Sequence, residues 1–277
     1  MRLIFLLRYK QRGAVVNIFK SIISPAELNV QYSIVLHKRV LELKTLLSPI
    51  ILKHNLLKRY GSTFDGGYVI PKIAIEKSHF LISGGIETNN DFEIELAKLG
   101  MVGVQIDNSI DSAPKVHKNL TFIRATLGKK SEFDLEKTIS KYPIGKKGIL
   151  KLDIEGAEYE TLKNINDLGR FNAIIIEFHN MYRITDEGFW KGYKKLLKRL
   201  NRNFNVVYMN ANNCCGFTII GGIPIPNVVE ITFIRKDLLK KKDYLVTQLN
   251  KTTFNNQNYS DRAPLDISFF IPSEIIK

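Results

Sequence analysis

Asn205-Val206-Val207-Tyr208-Met209 and Val228-Val229-Glu230-Ile231-Thr232-Phe233-Ile234 are the last two strand-like runs of the chain, and no helical pattern separates them. Consecutive strands that lack a crossover helix pair antiparallel. Upstream, strands and helices alternate. Short apolar strands are predicted at His79–Ser83, Val102–Ile106, Thr121–Ala125, Gly148–Leu152 and Ala173–Phe178. Helical patterns fall at Phe92–Leu99, Glu132–Lys141, Ala157–Ile165 and Asp186–Leu200, and Asp111-Ser112-Ala113-Pro114 reads as the opening of a further short helix. The strands are nearly continuous apolar runs, as expected when helices cover both faces of a sheet. Regular alternation implies right-handed crossovers and parallel strands. The expected fold is therefore α/β: a doubly wound, mostly parallel seven-stranded sheet that ends in an antiparallel hairpin, with helices on both faces.

The 277 residues suit one such domain with extensions. From Ser24 to Lys58 the pattern is helical, with Leu36, Val40, Leu43 and Leu47 at helical spacing before Pro49. A turn-rich stretch, Gly61 to Pro71, follows and ends in a short strand. These boundaries give a basic helical extension at 1–59, the main domain at 60–236 and a C-terminal extension at 237–277. Hydrophobic residues make up 44% and charged residues 25%, an ordinary globular balance, whereas the formal charge of +14 is high. That surplus attracts polyanions such as nucleic acid, anionic lipid or acidic polysaccharide, or serves solubility alone. The apolar patch Leu3–Leu7, followed by Arg8, Lys10 and Arg12, is too short to span a bilayer. It reads either as a helix packed on the domain or as a segment lying on an anionic membrane surface. Cys214 and Cys215 are adjacent, a spacing that disfavours a disulfide, so a reducing, cytoplasmic compartment is the simplest expectation.

Ligands of doubly wound sheets bind beyond the carboxyl ends of the strands, where the strand order reverses. The first strand of the alternation runs into Ser83-Gly84-Gly85-Ile86-Glu87, and the next ends on Asp107, 22 residues after Gly85. Glycine permits a tight turn and close backbone approach, and a carboxylate at that spacing suits the ribose hydroxyls of an adenosine. The full G-x-G-x-x-G pattern is absent, which argues against a pyrophosphate-binding dinucleotide site and leaves room for a phosphate-free adenosine ligand. A plain tight turn and a helix-capping acid are the alternatives.

Leu150-Lys151-Leu152-Asp153-Ile154-Glu155-Gly156-Ala157-Glu158 closely resembles the signature of FkbM-type methyltransferases. Phe171–His179 is similar to the strand that follows it in that family. Asp65-Gly66-Gly67-Tyr68 resembles the opening motif of a bacterial subgroup, and Asn212-Asn213 with Pro226–Glu230 and Thr232 resembles that subgroup's final hairpin. The resemblance spans roughly residues 60–236. It implies a Rossmann-like fold, a plan in which parallel units close with an antiparallel pair. It further implies S-adenosylmethionine as methyl donor and O-methylation of sugars or natural products. Carried over by position, Ser83, Gly84, Gly85 and Asp107 would line the donor site, with Asp153 and Glu155 facing the methyl group and the acceptor. The glycine turn lacks the acid and spaced glycines common in the wider family.

Methyl transfer to an alcohol needs in-line alignment and a sink for the hydroxyl proton. His179 has an ordinary pKa near neutrality and is the first candidate base, with Asp153 and Glu155 beside it in the catalytic set. Asp153 is also placed to hold the donor's amino group. Asp65, Tyr68, Glu158, Glu177 and Asn212 are expected to border the acceptor, with structural roles as the alternative for each. A magnesium ion on Asp153, Glu177 and Asn180 is chemically conceivable, but no metal is expected. The leading expectation is O-methylation of a sugar hydroxyl in a bacterial surface glycan or glycolipid, at the cytoplasmic side of the membrane. An RNA methyltransferase is less favoured, since no aromatic-interleaved basic stretch suits base stacking. A non-catalytic membrane-surface or glycan-associated scaffold is the third reading.

Overall fold

The computed structural model describes residues 28–31, 33–128, 133–243 and 258–272. The basic segment at 1–20, and parts of both proposed extensions, lie outside the described residues. Strand β1 (Leu28–Gln31) and helix α1 (Ile34–Leu47) come first, then strands β2 (Leu57–Gly61) and β3 (Gly67–Pro71) and helix α2 (Lys72–Glu76). The alternating part comprises β4 (Phe80–Gly84), α3 (Asp91–Lys98), β5 (Val102–Ile106), β6 (Leu120–Ile123), α4 (Leu135–Ser140), β7 (Gly148–Leu152), α5 (Glu158–Asn164) and β8 (Phe171–Phe178). Helix α6 (Glu187–Asn203), β9 (Phe204–Ala211), β10 (Phe217–Ile220), β11 (Ile223–Pro226) and β12 (Val229–Arg235) complete it.

Seven strands form the central sheet in the order β6-β5-β4-β7-β8-β12-β9. Pairings among β4 to β8 are parallel, and β12 runs antiparallel to both β8 and β9. The expected Rossmann-like, mostly parallel seven-stranded sheet whose last two strands pair antiparallel is the one observed. The order reverses between β4 and β7, which fixes the switch point there.

Successive residues of the central strands enter two different cores. Phe80, Ile82, Leu150, Leu152, Ile174 and Ile176 pack with α1, α4, α5 and α6 through Val40, Leu135, Leu162 and Leu197. Leu81, Ile149, Ala173 and Ile175 pack on the other face with Phe92 and Leu96 of α3, Ala74 of α2, and Tyr60 and Tyr68 of the β2–β3 hairpin. Period-two alternation with both faces apolar is what a helix-covered sheet requires. Helix α6 starts at Asp186, whose carboxylate accepts from the Phe189 amide, and buries Trp190, Tyr193, Leu196, Leu197 and Leu200 along one stripe.

Three expectations are corrected. The helical pattern over Ser24–Lys58 holds only for α1: β1 precedes it, pairing with the distant β10, and β2 follows it. Local periodicity carries no record of such a remote partner. No helix forms after Asp111; the β5–β6 connection is turns and bends, because Pro114 and the short loop leave no apolar stripe to bury. Cys214 and Cys215 are joined in a vicinal disulfide in the turn between β9 and β10, so the reading of two unpaired thiols does not hold.

Candidate active site

At the switch point β4 runs into Gly84 and Gly85. Gly85 has φ +77°, and a Cβ there would lie 1.6 Å from the Asp153 carbonyl oxygen, so only glycine allows the end of β7 to come this close. The Gly85 amide donates to the Ile106 carbonyl (2.9 Å), and the Asp153 amide donates to the Gly84 carbonyl (3.0 Å). Non-glycine residues with positive φ occur at Glu87 (+40°), Glu155 (+54°) and Asn180 (+56°). Each lies just beyond the end of β4, β7 or β8, so the left-handed backbone gathers at one crevice. Such conformations cost of order 1–3 kcal/mol each and cluster where function needs them.

Asp107 stands against the glycine turn as its spacing suggests. Its Oδ2 accepts from the amides of Ile86 (2.8 Å) and Glu87 (2.9 Å), and its Oδ1 accepts from the Ser109 amide and hydroxyl. Burial alone would raise its pKa, but the Ser109 hydroxyl and these amides outweigh it and lower it. Both oxygens are thus engaged by the chain, and Asp107 shapes the turn before any ligand arrives. Asp107→Ala is expected to weaken S-adenosylmethionine binding about 10-fold or more through loss of these charge-assisted bonds, each worth about 1.5–3 kcal/mol; calorimetry checks this.

Ser83 is corrected from a donor contact to a support: it is fully buried, and its hydroxyl donates to Glu93 of α3 (2.5 Å). It belongs to a set of buried polar residues of which Glu93, Lys151 and Glu230 were not singled out in the sequence. Ser83 pairs with Lys151 of β7, Glu177 of β8 pairs with Glu230 of β12, and Glu230 pairs with Asn210 of β9, all beneath the β2–β3 hairpin. The Lys151 ammonium donates to the Gly85 carbonyl and lies 3.6 Å from Asp153 Oδ2. Burial would lower its pKa, yet the charges of Asp153, Glu93 and Glu177 outweigh it and raise it. The available signal was a lysine inside an otherwise apolar buried strand.

Asp153, Glu155 and His179 come together as expected. His179 Nε2 is 3.9 Å from Asp153 Oδ1 and 3.4 Å from Glu155 Oε2, and Glu155 is largely exposed. Glu158, expected to border the acceptor, is instead fully buried. One of its oxygens accepts from the amides of Ile154 (3.1 Å) and Gly156 (3.0 Å) and meets His179 Nδ1 at 2.9 Å. It therefore orients the imidazole and leaves Nε2 facing the crevice. Burial would lower the His179 pKa, but this bond and the charges of Glu158, Asp153 and Glu155 raise it to about 9. The expectation of a base titrating near neutrality is corrected: at pH 7 the ring is protonated and donates.

Tyr68 and the pair Glu177–Asn212 also change role. Tyr68 is buried and donates to Asp153 Oδ2 (3.0 Å), so it aims that carboxylate, and Asn212 donates to Glu177 (2.6 Å) below the surface. Asp65 alone of that set stays exposed, on the β2–β3 loop above the turn, where its carbonyl accepts from Asn89 (3.0 Å). Glu87 was not singled out in the sequence; burial first, then the charges of Asp153, Glu155, Asp107 and Asp65, raise its pKa. Crowded acids of this kind suit a cationic ligand, and S-adenosylmethionine carries a sulfonium and an ammonium.

Residues 116–206 match the family model of the methyltransferase FkbM domain. The matched segment holds Asp153, Glu155, Glu158, Glu177 and His179, while the glycine turn and Asp107 precede it. The match and the sheet together support a Rossmann-like methyltransferase with S-adenosylmethionine as cofactor. Among solved structures, the chain is similar to the 23S rRNA methyltransferase ErmE, with 10% identity over 62% of this chain and 69% of that one and a TM-score of 0.36. A precorrin-6y C5,15-methyltransferase from Geobacter metallireducens GS-15 shares 11% identity over 59% and 87%, with a TM-score of 0.33. The plantazolicin methyltransferase BpumL, solved with SAH, shares 12% over 81% and 90%, with a TM-score of 0.33. Likenesses at this level bear on neither activity nor substrate. No curated protein matches the chain.

Proposed function

We propose that this protein is an S-adenosylmethionine-dependent O-methyltransferase acting on a sugar hydroxyl of a bacterial surface glycan or glycolipid, with residues 60–236 as its catalytic unit. The observation that carries the reading is the set of Asp153, Glu155 and His179 at the ends of β7 and β8, one strand from the glycine turn of β4. When bound, the donor supplies a methyl group on a sulfonium carbon for in-line displacement by the acceptor oxygen. The acids Glu87, Asp153 and Glu155 favour a cation in the crevice. Tyr68, Lys151 and Glu158 hold Asp153 and His179 in place, so little reorganisation is needed. The protonated His179 donates to the acceptor oxygen's neighbourhood, and the exposed Glu155 receives the hydroxyl proton. Asp65, on its loop, borders the acceptor.

The glycan acceptor is supported by the FkbM match and by the +14 charge, which draws anionic acceptors and membrane surfaces. Incubation with methyl-labelled donor and separate glycan, lipid-linked glycan and RNA fractions tests it. Label in the glycan or glycolipid fraction is the expected result. Label in RNA alone, with steep salt dependence, would replace this acceptor with nucleic acid.

A further inference from the structure

Methyl transfer as described makes no use of Glu177 and Glu230. These carboxyls stand opposite each other on adjacent strands, and both are buried. Glu177 receives a bond from Asn212, whereas Glu230 Oε1 has no hydrogen-bond partner. Facing carboxyls repel, and a buried polar atom without a partner is costly. One ligand atom from each of Asp153, Glu177 and His179 lies within 4.8 Å of the others. Asp153 presents Oδ1 to His179 because its Oδ2 is occupied by Tyr68 and Lys151. His179 presents Nε2, whose proton a binding cation displaces, because Nδ1 is occupied by Glu158, the arrangement that orients metal-bound imidazoles.

We propose that Asp153, Glu177 and His179 form a divalent-cation site, next to the buried carboxyl of Glu230. One imidazole with two carboxylates favours Mn²⁺ over Mg²⁺ or Ca²⁺, which prefer all-oxygen sets. Metal–ligand bonds of about 2.1 Å place neighbouring ligands about 3.0 Å apart and an opposed pair about 4.2 Å apart, so the side chains, now within 4.8 Å of one another, draw together on binding. The site stands on these side chains alone. Its part in methyl transfer, holding the acceptor oxygen in place of the protonated His179 ring while Glu155 takes the proton, rests on the function proposed above.

Electron paramagnetic resonance of free Mn²⁺, titrated into chelator-treated full-length protein, tests the site. One equivalent should bind to the wild type, and Glu177→Gln should weaken binding about 10-fold or more, with circular dichroism showing that the variant is folded. Glu230→Gln should weaken it less. No loss of the free-ion signal, or equal binding by wild type and Glu177→Gln, would overturn the site. So would one-for-one displacement of Mn²⁺ by the donor, which would assign these acids to the donor's own cationic groups. Calorimetric donor binding to the chelator-treated protein separates the two proposals: donor binding without Mn²⁺ binding removes the metal alone.

Discussion

Glu158→Ala should lower kcat about 10–100-fold while changing KM little, the usual scale for losing a group that orients a functional imidazole. The side chain is buried beneath the crevice, so it touches neither donor nor acceptor. It holds three groups: His179 Nδ1 and the amides of Ile154 and Gly156, which set the left-handed turn carrying Glu155. Removing it frees the ring to rotate and leaves two amides without partners, at about 1–3 kcal/mol each if they stay buried. Glu158→Gln keeps an oxygen in place and should restore the fold while recovering only part of the turnover. Steady-state kinetics on both variants, with melting curves, check this. Full activity in a folded Glu158→Ala variant would remove His179 orientation from the mechanism.

Gly85→Ala should be the most damaging single change in the crevice. The new Cβ would sit 1.6 Å from the Asp153 carbonyl at φ +77°. Overpacking of this kind costs about 1–3 kcal/mol or more, and the left-handed backbone adds about 1–2 kcal/mol. For a chain of this size, about 3 kcal/mol corresponds to a drop of roughly 6–12 °C in Tm. Donor binding should fall with it, since β4 and β7 must part to admit the methyl group. Gly145→Ala is the control: nothing lies within 4 Å of its Cβ position, and at φ +90° it retains only the backbone cost. Comparable melting of the two variants would show that the β4–β7 approach is unimportant.

The sheet was legible because its apolar runs are strong and its ending lacks a crossover helix. The insertion of β12 between β8 and β9 was not legible, since pattern identifies strands and leaves their neighbours open. The pairing of β1 with β10 was hidden for the same reason. At the site, Asp153, Glu155 and His179 could be chosen because they end strands, where doubly wound sheets bind ligands. What those groups rest on was hidden. Glu158 shares a helical face with Glu155 in sequence, yet the left-handed turn at Glu155 and Gly156 swings it inward. Lys151 and Glu230 read as single polar residues within apolar strands and Glu177 as an acceptor contact, and only the pairing of the strands puts them on one buried face. The shift of the His179 pKa follows from that burial and from Glu158, neither of which a spacing reveals.

A crystal structure of the protein with S-adenosylhomocysteine tests the central claim most directly. The adenosine should lie between the Gly85–Glu87 turn and Asp107, with the sulfur facing Asp153. Density elsewhere would contradict it, for instance in the groove between α5 and α6 lined by Tyr159, Arg183, Phe189 and Arg199, as would an Asp107 region packed shut against the ligand.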